Sequence, residues 1–140
     1  MMFAMLRIDE NETRKNARKK LKTFRQLQRI AGRSSIDLKS PIITDMPRSK
    51  SASNRVDNSL IEKIDAELER DYIIDALARL SHISRCILFY SFCDVEKWSN
   101  YKIGLELGYS DKNIERLKRI ALIEFAEAYR GGKLLVPFEK

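Results

Sequence analysis

The sequence is poor in residues that break helices. Its 140 residues include three prolines and five glycines, too few for an architecture of strands and tight turns, and long stretches carry neither, which predicts long helices. Cysteine is nearly absent as well: Cys86 and Cys93 are the two in the chain. On one helix they would be separated by roughly 10 Å of rise, beyond the reach of a disulfide, so both read as reduced core residues of a cytosolic protein. The single histidine, His82, falls at a helix boundary beside Ser81 and Ser84 and reads as a surface or capping residue. The sequence suggests no Cys/His cluster at metal spacing, no Gly-rich phosphate loop and no nucleophile–base pair. Catalytic residues, metal ligands and cofactors are therefore expected to be absent, and an enzyme is disfavoured. No segment is apolar for long enough to span a membrane, and the opening Met-Met-Phe-Ala-Met-Leu is too short for a signal peptide.

Charge, by contrast, is plentiful and unevenly placed. The net charge is +7, but residues 1–56 hold 14 Lys/Arg against 5 Asp/Glu, while residues 57–140 hold 13 against 15. An asymmetry of this kind points to a polyanion, most often nucleic acid. Residues 10–31 read as one amphipathic helix ended by Gly32, with Ala17, Leu21, Phe24, Leu27 and Ala31 on one side. Arg14, Arg18, Lys22, Arg25 and Arg29 fall in a narrow stripe on another. Five cations along one edge repel each other, which makes them candidate phosphate contacts. An acidic protein surface or plain solvent would serve the same stripe.

The pattern divides the chain into five segments: a basic helix (1–31), a Ser/Pro-rich linker (32–56), a connecting helix (57–72), a helical domain (73–130) and a tail (131–140). The linker carries Pro41 and Pro47 among serines, with Ile42-Ile43 as an apolar patch, and is expected to lack regular structure. Asn54 or Asp57 is placed to cap the next helix, which should run to about Leu80. Its apolar stripe begins as Leu60, Ile61, Ile64, Leu68 and Tyr72, then rotates to Ile73, Ala76, Leu77 and Leu80. That rotation implies a bend near Arg70 or contact with two different neighbours. Ser81 is a boundary and candidate cap. Residues 83–93 are apolar nearly all round, as expected of a central buried helix. The tail, Leu134-Leu135-Val136-Pro137-Phe138, should fold back on the core or meet a partner.

The twenty residues from Asn100 to Arg119 fit a helix-turn-helix position by position. Gly104 is small where the second helix is expected to cross close to the first. Ile103 and Leu107 face the inter-helix core, and Gly108 supplies the left-handed backbone of a tight turn. Tyr109 is expected to continue the core across the turn, and Ser110 to cap the second helix. Ile114 and Leu117, with Ala121 and Phe125 beyond, would pin that helix down. Its outward positions are Asp111, Lys112, Asn113, Glu115, Arg116 and Arg119, with Lys118 flanking. In a major groove, Arg116 and Lys112 suit guanine, Asn113 adenine, and Glu115 or Asp111 the cytosine amino group. Tyr101, Lys102 and the amides near the turn, Ser110 included, would hold phosphates. Carboxylates among the cations favour a reader of sequence over a non-specific binder. The expected fold is all-α: a helical bundle with a C-terminal helix-turn-helix and an N-terminal basic helical extension.

Two nested resemblances attach to these residues. Ile74-Asp-Ala-Leu-Ala-Arg-Leu80, Ser84-Arg85-Cys86-Ile87-Leu88, the Ile103/Gly108/Ser110 turn and Arg119-Ile-Ala-Leu122 resemble region 4 of sigma-70-type factors, which sets its last helix in a promoter's major groove. More narrowly, the chain resembles the ArpU family of phage transcriptional regulators. The pieces that carry it are Phe24-Arg25-Gln26-Leu27, Arg29-Ile30-Ala31-Gly32, Ser40-Pro41, Asp45-Met46-Pro47, Ser53-Asn54, Ser99-Asn100-Tyr101-Lys102-Ile103, Ile114-Glu115-Arg116-Leu117-Lys118-Arg119 and Phe125-Ala126-Glu127-Ala128-Tyr129. The resemblance implies activation of late phage genes for packaging and lysis, in the cytoplasm of a Gram-positive host. Lys102 stands where the sigma pattern usually has an acidic residue, and the N-terminal half matches no other sigma region. An activator that binds its own operator and touches RNA polymerase therefore fits better than a complete sigma factor. The expected partners are double-stranded DNA, RNA polymerase and a second copy of the chain. For that second copy, the 57–72 stripe, the N-terminal helix and the tail are candidate surfaces. The competing reading is a sigma-like module that binds polymerase without reading DNA. RNA ranks third, because no aromatic platform for single strands is visible.

Overall fold

The computed structural model describes residues 7–32 and 50–138. The opening apolar hexapeptide and most of the expected linker, residues 33–49 with Ile42 and Ile43, lie outside the described residues. The fold is all-α: α1 (Glu10–Lys22), α2 (Phe24–Ala31), α3 (Lys50–Ala78), α4 (His82–Leu88), α5 (Asn100–Leu107) and α6 (Asp111–Ala128). One turn of π-helix (Phe89–Cys93) extends α4, and one 3-10 turn (Tyr129–Gly131) closes α6.

Local chemistry fixes where these helices start. Asp9, Ser81, Ser99 and Ser110 each adopt extended backbone and accept a hydrogen bond from the backbone N–H three residues on. Each cap satisfies one of the donors a helix start leaves unpaired. In α1, Glu10 and Glu12 sit in the first turn and Lys19, Lys20 and Lys22 in the last, each sign at the end of the helix dipole that favours it.

Two boundaries differ from the sequence expectation. The N-terminal helix is two helices, interrupted at Thr23, whose hydroxyl donates to the Lys20 carbonyl at 2.6 Å. Such back-bonding competes with the regular ladder and bends a helix. The long third helix begins at Lys50, so Asn54 and Asp57 lie inside it and not at its start. Residues 50–56 follow the last proline of the linker and contain no breaker, so their serines do not stop the helix. It then runs unbroken to Ala78.

The chain forms two compact units. In the first, the described residues up to Arg25 join those from Tyr72 onward. The basic N-terminal helix is thus part of the main domain, where the sequence pattern had set residues 1–31 apart. α6 packs against α1, α4 and α5, and α1 also meets the π-turn. Ile87, Ile103 and Ile114 are fully buried against each other, with Ile83, Tyr90, Trp98, Leu107 and Leu117 around them. A further buried set includes Leu21, Ile73, Leu122, Phe125 and Tyr129. Trp98 stacks on Tyr90 with centroids 4.1 Å apart and donates its indole N–H to Asp94 at 2.7 Å.

The tail folds back onto α1. Ile8 and Pro137 form an antiparallel bridge, Asp9 donates to the Val136 carbonyl at 2.8 Å and Phe138 to that of Arg7 at 3.0 Å. Val136 in turn donates to the hydroxyl of fully buried Thr13. Of the two cysteines, Cys93 is buried, and burial pushes its thiol up to about 12. Cys86 is only half-buried, 3.6 Å from the exposed His82 ring, so the expectation of two core thiols holds for one.

The second unit spans Gln26–Asp71. Lys63 and Glu67 pair at 2.7 Å, and that ammonium holds the Glu67 carboxyl below its ordinary range. Arg70 reaches Gln28 and Asp71. Leu60, Ile61, Ile64 and Leu68 form an exposed ladder, while Ala66, on the opposite side of α3, is buried. The unit boundary between Asp71 and Tyr72 falls where the apolar stripe of this helix changes side. Among the described residues, no helix is long and apolar enough to cross a membrane.

Candidate nucleic-acid interface

α5 and α6 are joined by the short turn 108–110, and each feature of that turn has a physical cause. Gly108 adopts the left-handed conformation (φ 85°), and its N–H and that of Tyr109 both donate to the Gly104 carbonyl, at 2.7 and 2.9 Å. A side chain would be strained at Gly108. At Gly104 a Cβ would overlap the Tyr109 carbonyl oxygen. The close approach that demands glycine there is thus to the turn backbone, whereas the sequence reading had placed it against the second helix. Tyr109 correspondingly packs through its backbone, and its side chain is exposed where the sequence suggested core.

Ser110 caps α6 by accepting from the Asn113 N–H at 3.1 Å. Beyond it, Ile114 is fully buried and Leu117 packs on the same cluster. The side chains between them point the other way: Asp111, Lys112, Glu115, Arg116 and Arg119 are all exposed. Arg116 donates through both Nε and a terminal nitrogen to the Asn113 side-chain oxygen, at 3.1 and 2.8 Å. That bond aligns the two side chains before any ligand arrives. On α5, Tyr101 is exposed, and the Lys102 ammonium lies 4.3 Å from the Trp98 ring centroid, a cation–π contact that holds it at the surface.

The structure sorts the basic stripe of the N-terminal segment residue by residue. Arg14 pairs with Glu10 at 3.6 Å and bonds Asn11. Arg18 and Lys22 meet α6 along its first half, in a groove of about 420 Å³ shared with Lys118 and Arg119. Arg25 turns inward and donates to the carbonyls of Asp94 (2.6 Å) and Ser91, so it ties the end of the π-turn to α2. Arg29 is exposed and belongs to the second unit. Lys118, expected at the edge of the surface, is half-buried and donates to Asn100 at 2.6 Å. Its ammonium is held below its ordinary value, first by burial and then by the neighbouring Arg18.

Sequence reasoning missed Asn100 and Phe92 in this groove, as well as the packing of α1 on α6 that creates it. Arg18 and Lys118 are a hundred residues apart, and no local period couples them.

A protein of Enterococcus hirae named "Putative autolysin regulatory protein ArpU" is 52% identical over 134 residues, covering 96% of this chain and 98% of its own length. A protein of the same name from Streptococcus phage O1205 is 30% identical over 131 residues, covering 92% of this chain and 95% of its own. No family model matches the chain, and no solved structure matches it either.

Proposed function

This chain belongs to the ArpU family of regulatory proteins, and from that premise we propose that it is a sequence-specific, DNA-binding transcription regulator that reads the major groove with the first half of α6. One observation carries the reading. A helix capped by Ser110 and pinned by Ile114 presents Asp111, Lys112, Glu115, Arg116 and Arg119 together on its solvent side, with Asn113 held against Arg116. An α-helix fits the major groove, and the side chains of its first turns meet base edges there.

In this mechanism the Arg116 guanidinium forks onto the O6 and N7 of a guanine, and Asn113 bonds an adjacent base once released from it. Glu115 or Asp111 accepts from a cytosine amino group, and these carboxylates penalise wrong sequences as much as they reward the right one. Tyr101, Lys102 and the turn around Ser110 lie against phosphates and set the register. The α5–turn–α6 arrangement is a helix-turn-helix of the sigma region 4 kind.

The relatives' name speaks of autolysin regulation. Together with the phage origin of one of them, it supports a role as activator of late phage or prophage genes for packaging and lysis, inside the bacterial host. RNA polymerase is the second partner of such an activator. A homo-oligomer would multiply affinity by engaging paired half-sites. The role is binding rather than catalysis.

The test is binding to DNA from upstream of its own coding sequence and from late promoters, at several salt concentrations, with wild type compared with Arg116→Glu. Specific binding lost in the variant is the expected result. A wild type that prefers no fragment over bulk DNA would sink the reading and favour a module that binds polymerase without reading DNA.

A further inference from the structure

Two grooves lie between α1 and α6, and Arg119 lines both. They are alike in size, but one is balanced in charge and the other strongly cationic. At the end nearer the start of α1, the groove of about 490 Å³ brings Arg14, Arg116 and Arg119 against Glu10, Glu124 and Glu127. Three cations face three carboxylates, and their charges balance. At the other end, Arg18, Lys22, Lys118 and Arg119 face the single carboxylate of Glu115, with Asn100 completing the wall. Among the described residues, Arg18, Lys22 and Arg119 form no ion pair.

Four cations converging on one carboxylate are an arrangement that folding alone disfavours. The half-buried Lys118 carries the cost visibly, since burial and Arg18 both act against its charged form. Asn100 offers it a neutral acceptor and no counter-charge. An anion in the groove would remove the repulsion. Its place narrows the choice of anion. The groove flanks the exposed first half of α6, and Asn100 is followed directly by Tyr101 and Lys102 at the start of α5. A helix with its side chains is about 10–12 Å across, close to the width of the major groove. A duplex engaged by α6 therefore brings a sugar-phosphate strand along each flank of that helix.

We infer that the Arg18–Lys22–Lys118–Arg119 groove is a backbone-phosphate site of duplex DNA, so that α1 acts as a second DNA-contacting helix beside the recognition helix. The inference rests on the DNA-reading role of α6 and adds a ligand and a side of approach to it. Arg18 and Lys22 are the cations that bond phosphate. Lys118, tethered to Asn100, contributes field from below, with its ammonium 6.0 Å from the Phe92 ring centroid. In the balanced groove Arg14 adds no phosphate contact, and Arg116 and Arg119 of its lining meet the duplex from the α6 side. The stripe that the sequence presents as five equivalent cations is thereby divided, with Arg18 and Lys22 on phosphate, Arg14 paired with Glu10 and Arg25 used internally.

The experiment measures affinity against salt for the full chain on its preferred duplex and on bulk DNA. Wild type is compared with Arg18→Ala, Lys22→Ala and Lys19→Ala, each checked by circular dichroism and thermal melting. Lys19 is exposed on α1 but does not line the groove, so it controls for the loss of one charge. Each groove variant should weaken specific and bulk binding alike and reduce the salt slope by about 1, leaving the preference between them unchanged. Lys19→Ala should keep the wild-type slope. Groove variants with the wild-type slope would overturn the inference, and would leave the reading by α6 standing if Arg116→Glu still abolishes specificity. Tighter binding of duplex RNA of the same sequence would also overturn it. Absence of any wild-type DNA binding would remove both.

Discussion

The two halves of α6 are one continuous helix with opposite duties. Over residues 111–120 a single residue, Ile114, is buried, and the rest of that stretch is exposed or half-exposed. Over residues 121–129, Ala121, Leu122, Phe125, Ala126 and Tyr129 are buried. The second half is an anchor buried in the main domain, and the first half is a cantilever held to α4 and α5 through Ile114 and Leu117. The difference teaches that side chains which meet a ligand can vary freely only when the helix carrying them is fixed elsewhere. Substitutions in the anchor should therefore cost stability, and substitutions on the cantilever should cost recognition.

The sharpest way to break this contrast is Phe125→Ala. Removing a fully buried aromatic ring should destabilise the fold by about 3–5 kcal/mol, read by chemical denaturation, and any loss of DNA binding should follow the unfolded fraction. Gly104→Ala comes next. Its Cβ would collide with the Tyr109 carbonyl, and forced repacking typically costs about 1–3 kcal/mol. Because the strain lies in the turn, it should also tilt the cantilever, lowering operator affinity in samples that remain fully folded. Ser110→Ala deletes the cap of α6 and should cost about 1 kcal/mol. Hydrogen exchange should quicken at residues 111–114 and stay unchanged at 121–126. Smallest of all should be the effect of Arg116→Glu on the melting curve, within about 0.5 kcal/mol, although the same change is expected to abolish specific binding. A large stability loss in that variant would show that the cantilever has a packing role and would dissolve the comparison.

Most of the main domain was legible because its signals are local. A serine before an apolar period gave the caps of α4 and α6, and Gly108 gave the turn. The nearly all-apolar stretch 83–93 gave α4 with its π-turn, although Phe89 is exposed where burial was expected. What the sequence hid was non-local or ambiguous in composition. Serines at 51 and 53 look like loop chemistry, yet with no proline between Pro47 and Ala78 the helix simply begins at Lys50. Arg25 has the same helical phase as its basic neighbours, and only its proximity to the Ser91 and Asp94 carbonyls reveals a structural bond. The outward face of α6 was readable from period alone. The groove beside it was not, because it depends on α1 crossing a hundred residues of chain to lie along that helix.

The pairing of Arg7 and Asp9 with Val136 and Phe138 gives the molecule an unusual order of assembly. These contacts span nearly the whole described chain, and contacts of such separation form late because the intervening loop must close first. During synthesis, α1 is made early but cannot acquire its bridge until residue 138 has been added. A growing chain therefore carries α1 without this bridge until the tail has been made.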